Sequence, residues 1–204
     1  MAGLFITLEG GDGSGKSTQI RHLIGFLEEQ GRTVVESREP GGTDLGLELR
    51  EIVLHRRGHI APRAEALLYA ADRAHNIATK VRPALEAGSI VVQDRYIDSS
   101  VAYQGAGRVL DAEEVRGISV WATEGLTPDL TILLDLDPAI GRARIAGGKY
   151  DRLEEEKGEF HDRVRAGYLA LAAAEPQRFL VLDATRERDE LETEIRDRVS
   201  VLLT

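Results

Sequence analysis

Gly10-Gly11-Asp12-Gly13-Ser14-Gly15-Lys16-Ser17 is the stretch on which the fold turns. It fits the pattern G-x-x-x-x-G-K-[ST]. It follows the apolar run Leu4–Glu9, which reads as a buried strand, and it opens the helical pattern Ser17–Gln30, where Ile20, Leu23, Ile24 and Leu27 share one face. Strand, loop and helix in that order are the setting the chemistry needs. Glycines let the backbone curl until its N–H groups converge on phosphate oxygens, and the helix start adds partial positive charge. Lys16 can then reach the β- and γ-phosphates of a nucleoside triphosphate, with the Ser17 hydroxyl available to Mg²⁺ and Thr18 next on the helix. The loop does not choose between a kinase, an ATPase and a GTPase switch. No Asn-Lys-x-Asp guanine-reading motif occurs, which counts against the switch.

Outward from the loop, apolar runs and helical patterns alternate. Strands are expected at Leu4–Glu9, Thr33–Ser37, Ile90–Gln93, Leu130–Leu136 and Phe179–Asp183. Helices are expected at Ser17–Gln30, Asp44–Leu54, Pro62–Glu86 with a kink at Pro83, 111–123, 138–146, 155–174 and 188–203. This alternation implies an α/β fold of three layers, a five-stranded parallel sheet with helices on both faces. The length, 204 residues, suits a single domain, 1–204. Ala146-Gly147-Gly148-Lys149 interrupts a helical stretch and suggests a hinge.

Composition narrows the function classes. A net charge of −9 argues against nucleic acid as a partner. No apolar run approaches the roughly 20 residues needed to cross a bilayer, and the N-terminus has no basic leader region, so no membrane partner and a cytoplasmic location are expected. There is no cysteine, hence no disulfide, thiolate metal site or cysteine nucleophile. Lysine occurs only at Lys16, Lys80, Lys149 and Lys157, so 22 of the 26 basic residues are arginine.

Four further clusters lie beyond the loop: Arg38-Glu39-Pro40-Gly41-Gly42-Thr43 after the second strand, Tyr69-Ala70-Ala71-Asp72-Arg73 in the long helix, Asp94-Arg95-Tyr96 after the third strand, and Ser99 to Arg108 after that. Ligands in an open parallel sheet sit beyond the carboxyl ends of the strands, where Asp12, Arg38 and Arg95 would arrive together. Tyr69 and Arg73 are four apart and share a helix face, so a ring to stack on a base stands beside a guanidinium to bond its edge. Taken singly, Arg38 also reads as a surface partner of Glu39, Tyr69 as a core residue and Arg95 as a structural partner of Asp94. Their joint placement favours a second anion site.

Asp94-Arg95-Tyr96-Ile97-Asp98-Ser99-Ser100 followed by Ala102-Tyr103-Gln104-Gly105 resembles the signature of the thymidylate kinase family. Arg38 to Thr43, Leu67 to Arg73 and Leu182-Asp183-Ala184 resemble bacterial members, and the likeness runs over about residues 4–200. The resemblance implies a P-loop NTPase fold with a short lid, a nucleoside monophosphate kinase that makes dTDP from dTMP and ATP with Mg²⁺, and a homodimer. It implies that Tyr69 stacks on thymine, Arg73 meets the base edge, and Arg95 holds the monophosphate with help from Arg38 and Arg50. Ser100, Tyr103 and Gln104 would line the nucleoside. Asp12 would lie near the acceptor sugar and the metal, with Ser17 and Asp94 as further metal residues. Residues 10–18 would bind ATP, together with Arg142 and the backbone near Ala184.

The attacking group would be a phosphate oxygen, already largely anionic, so no protein nucleophile is required. The chain must instead hold two anions in line and exclude water. Lys16, Asp12, Arg95 and Arg152 are the expected catalytic residues. Some family members carry an arginine directly after the loop aspartate, where this chain has Gly13. The candidate lid, 141–156, supplies Arg142, Arg144, Lys149 and Arg152 instead. Gly147 and Gly148 stand where lid arginine is often found. The five histidines are scattered and read as surface or structural residues.

Overall fold

The computed structural model describes residues 3–56, 58–148 and 150–203, so the Lys149 expectation lies outside the described residues. Five strands, β1 (Leu4–Glu9), β2 (Val34–Arg38), β3 (Ile90–Asp94), β4 (Leu130–Asp135) and β5 (Phe179–Asp183), form one sheet in the order β2-β3-β1-β4-β5. Every pairing is parallel. β1 lies at the centre with β3 and β4 on either side, so the chain leaving β1 enters the crevice where the strand order reverses.

Alternation along the strands sorts the core into two halves. Ile6, Leu8, Ile90, Val92, Ile132 and Leu134 face α1 (Lys16–Glu29) and α9 (Arg188–Leu202), which contribute Ile20, Leu23, Leu27, Leu191, Ile195 and Val199. Phe5, Val91, Leu133 and Phe179 point the other way, toward α3 (Pro62–Asn76) and α8 (Gly158–Ala174). The remaining helices are α2 (Asp44–Arg50), α4 (Arg82–Glu86), α5 (Ile97–Ser100), α6 (Ala112–Ala122) and α7 (Pro138–Arg144). Among the described residues, no helix is long and apolar enough to cross a membrane.

Three departures from the sequence expectation matter for the site. The single helix expected over 62–86 is divided by a wider turn, Ile77–Val81, immediately before Pro83, the residue that has no N–H to give to the preceding turn. Another wide turn, Val101–Gly107, prolongs α5 through the stretch carrying Tyr103 and Gln104, to which the sequence assigns no element. Val101 to Gly105 are all buried, so no polar face betrays a helix. Its small residues admit α8: a Cβ on Gly107 would lie 2.7 Å from the Phe160 ring. Finally, α8 begins at Gly158 rather than at residue 155. The chain ahead of it is a turn capped by Asp151, whose Oδ1 accepts from the backbone N–H of Leu153 at 2.8 Å and Glu154 at 2.9 Å.

Candidate active site

The loop from Gly10 to Gly15 joins the end of β1 to the start of α1. Gly10, Gly13 and Gly15 all take positive φ, which side-chain-bearing residues rarely adopt. Gly13 has a second constraint. A Cβ there would sit 2.5 Å from the carbonyl oxygen of Gly141, and one on Gly141 would sit 2.4 Å from that of Asp12. The loop and α7 therefore touch backbone to backbone, and an arginine has no room at position 13. The Lys16 ammonium is buried and donates to the carbonyl oxygens of Gly10 and Gly11, both at 3.0 Å. Burial and the neighbouring Arg95 lower its pKa.

Arg95 comes to the same place from β3. Its backbone is left-handed, φ 67°, a conformation that costs a non-glycine residue on the order of 1–3 kcal/mol. Its N–H donates to Leu8 O at 3.0 Å and its guanidinium turns back onto the loop. Nη1 donates to Gly10 O at 3.1 Å, the carbonyl that Lys16 also uses, and Nη2 donates to Asp12 Oδ1 at 2.7 Å. Arg95 is thus paired with Asp12, not with Asp94. Burial alone would raise the Asp12 carboxyl, but Arg95 and Lys16 outweigh it and hold the group below its ordinary value. Behind Arg95 stands Glu9, fully buried. It accepts from the Tyr96 backbone N–H at 2.7 Å, the Ser99 hydroxyl at 2.6 Å and the Tyr168 hydroxyl at 2.9 Å.

A cavity of about 730 Å³ extends from the loop. It is lined by Asp12 to Thr18, by Arg38, Arg50, Asp94 and Arg95, and by Tyr69, Arg73, Ser100, Tyr103 and Gln104; the Tyr103 hydroxyl lies 3.5 Å from Asp12 Oδ2 and its ring under Arg95. Tyr69 serves core and cavity at once, packing in the cluster with Tyr103 and Phe160. Arg73 is 1% exposed. It donates from Nε to Glu39 at 2.7 Å, from Nη1 to Ser119 Oγ at 3.1 Å, and from Nη2 to Tyr96 O at 3.0 Å and Ser100 Oγ at 3.1 Å. Burial pushes the Glu39 carboxyl above its ordinary range despite Arg73 beside it. Arg50 braces the Arg38–Thr43 segment by donating to Pro40 O at 2.9 Å, and Asp72 holds it from below, accepting from the Gly41 N–H at 3.1 Å.

The lid-side arginines have separate surroundings. Arg152 does not line this cavity. Its Nε donates to Val53 O at 2.8 Å and Nη2 lies 2.5 Å from Glu65, so its charge is taken up by Glu65 and not beside Lys16. Arg142 lies over the Tyr150 ring at 5.5 Å and faces a smaller cavity of about 290 Å³. Arg144 lines the large cavity instead, donating to Gly13 O at 3.3 Å and Ala184 O at 3.0 Å. Ala184 itself is buried with its carbonyl so occupied. As for a metal, no cluster of three or more acidic or histidine side chains occurs among the described residues. Mg²⁺ with a nucleotide needs fewer, because phosphate oxygens and water complete its shell. Asp94 Oδ1 is buried with no partner and Ser17 is exposed on the same cavity, which fits such an ion. Asp12 is the poorer ligand, since Arg95 occupies it.

The residues to which the sequence assigns no part in the site are carboxylates: Glu9, Glu39 and Glu65. All three are buried, and for Glu9 a carboxylate closing the apolar run of β1 is the signal that could have found it.

Comparison with known proteins agrees with this geometry. The family model described as thymidylate kinase matches residues 8–195. The chain belongs to the thymidylate kinase family. The thymidylate kinase of Leifsonia xyli is 71% identical over 199 residues, covering 97% of this chain and 94% of that protein. That of Deinococcus radiodurans is 57% identical over 199 residues, covering 97% of each. The crystal structure of thymidylate kinase from Ehrlichia chaffeensis matches with a TM-score of 0.81 at 30% identity, over 98% of this chain and 99% of that one. As a thymidylate kinase family member the chain is a nucleoside monophosphate kinase, a phosphotransferase.

Proposed function

We propose that the large cavity holds ATP and dTMP end to end, with the triphosphate on residues 10–18 and the monophosphate against Arg95. The reaction is ATP-dependent phosphorylation of dTMP to dTDP. The observation that carries the assignment is the meeting of Lys16 and Arg95 on one carbonyl oxygen, that of Gly10, which brings a donor-side and an acceptor-side cation together where a phosphoryl group would pass. Lys16 leaves its carbonyl partners for the β- and γ-phosphates, and the loop N–H groups supply the remaining charge. Arg95 exchanges Asp12 for the dTMP phosphate. Arg38 and Arg50, on the same cavity, add to the attraction for that phosphate. Tyr69 stacks on the base, with Arg73, Ser100, Tyr103 and Gln104 around the nucleoside. Arg144, against Ala184 and Gly13, lies on the ATP side.

Ser17 and Asp94 would hold Mg²⁺, which when bound offsets charge on the donor phosphates. The chain acts as a single kinase domain with 141–156 as its lid, in the cytoplasm and without nucleic acid or membrane partners. A homodimer is supported by an apolar patch between α3 and α6, where Leu67 is 56% and Trp121 81% exposed. A coupled assay of ADP release with ATP, Mg²⁺ and a panel of monophosphates tests the reading. Release that depends on dTMP, with AMP, CMP and GMP far poorer, is expected. Release without any monophosphate would make the chain an ATPase.

A further inference from the structure

We infer that Glu65 is a positioning residue that fixes the Gln104 side-chain amide, making the acceptor site select pyrimidines with N–H at position 3 and reject cytosine monophosphates. The inference rests on the proposed binding of a pyrimidine monophosphate and adds the device that would choose among them.

Glu65 lies on α3 one turn before Tyr69 and has no exposed surface. Its Oε1 accepts from Arg108 Nε at 3.1 Å and from Gln104 Nε2 at 3.1 Å. Its Oε2 accepts from Arg108 Nη2 at 3.1 Å and faces Arg152 Nη2 at 2.5 Å. Burial opposes ionisation, but Arg108, Gln104 and Arg152 outweigh it and hold the carboxyl below its ordinary value. An ionised carboxylate only accepts. Of the two ends of the Gln104 amide, it can therefore meet the NH₂ end alone. The amide has one permitted orientation, and its carbonyl oxygen has no partner among the described residues while the side chain lines the cavity.

Arg73 is fixed in the same manner by another carboxylate. Four of its five N–H bonds are spent on Glu39, Ser119, Tyr96 and Ser100, which leaves one donor on Nη1. The nucleoside end thus offers one fixed donor and one fixed acceptor beside Tyr69. A base with oxygen at position 4 and N–H at position 3 matches both. Cytosine presents an amino group at position 4 and a bare N3, so donor would face donor and acceptor would face acceptor. Unpaired polar groups in a buried site reject a ligand strongly.

The test compares kcat/KM and equilibrium affinity for dTMP and dCMP in the unaltered enzyme, Glu65→Gln and Glu65→Asp. A glutamine at 65 donates as well as accepts, so Gln104 is free to turn over. We expect the dTMP-to-dCMP ratio to fall about tenfold or more in Glu65→Gln, with dCMP improving in absolute terms, and Glu65→Asp to restore much of the ratio. A merely structural Glu65 would weaken both substrates in proportion, and an unchanged ratio overturns the inference. Should Glu65→Gln not fold, ¹⁵N spectra of the unaltered enzyme decide. One protected Gln104 amide proton is expected, and two rapidly exchanging ones overturn it. Lack of dTMP turnover in the unaltered enzyme would count against the proposed function, while the affinity ratio would still judge Glu65.

Discussion

The two ends of the cavity are built by different means. At the loop end, recognition is mostly backbone: glycines at positive φ, a helix start, and one lysine resting on the carbonyls of Gly10 and Gly11. At the proposed nucleoside end, the cavity is lined by long side chains held by carboxylates under the surface: Glu39 for Arg73, Glu65 for Gln104, and Glu9 for the shell behind Arg95. A backbone cradle needs only the right glycines in the right order. A side-chain site needs a second set of residues to stop its donors and acceptors from rotating, and those residues carry no motif of their own.

Removing the lysine of the loop end should have the largest effect. Lys16→Ala is expected to lower kcat by on the order of 10²–10³-fold with little change in KM for dTMP, measured by steady-state ADP release. A large rise in that KM alone would blur the distinction between the two ends. At the nucleoside end, loss of a holding carboxylate should appear as instability. Glu39→Ala leaves the buried Arg73 charge unpaired, a change of about 3–5 kcal/mol by denaturant titration. A loss below about 1 kcal/mol would mean that Arg73 does not depend on it.

Glu9 gives a sharper signature in pH. Burial first, and then Asp98, push its carboxyl from 4.5 up to about 7, although Ser99, Arg95 and Tyr168 pull against them. The folded chain then keeps a proton that the unfolded chain releases. The contribution of this group is fully present below about 4.5, is lost as pH rises to about 7, and is constant above that. Glu9→Gln should remove that slope, so its melting temperature relative to the unaltered protein should rise by a few degrees between pH 5 and pH 8. A difference that does not vary with pH would mean that Glu9 is ionised throughout. The smallest effect is expected from Arg152→Ala. The sequence alone predicts a loss in kcat there. Its contacts with Glu65 and Val53 predict a rise in KM for dTMP of about threefold to tenfold with kcat nearly kept.

Much of this is legible in the sequence. The sheet, its parallel sense and the loop followed from Leu4 to Ser17 and the alternation after it, because burial on both faces leaves uninterrupted apolar runs. The convergence of Asp12, Arg38 and Arg95 followed from strand ends meeting at one edge. What escaped was pairing between distant residues. Nothing local says that Glu39 meets Arg73 rather than Arg38, or that Arg152 folds back onto Glu65. The turn 101–107 escaped because all-round burial erases the polar face that marks a helix.

The claim that most depends on geometry is that donor and acceptor share the Gly10 carbonyl as their meeting point. A crystal structure with ADP and dTMP bound addresses it directly. The account predicts the Lys16 ammonium on the β-phosphate and the Arg95 guanidinium on the dTMP phosphate, each released from its present partners. A dTMP phosphate held out of reach of Arg95, with the Arg95–Asp12 pair intact, would contradict it.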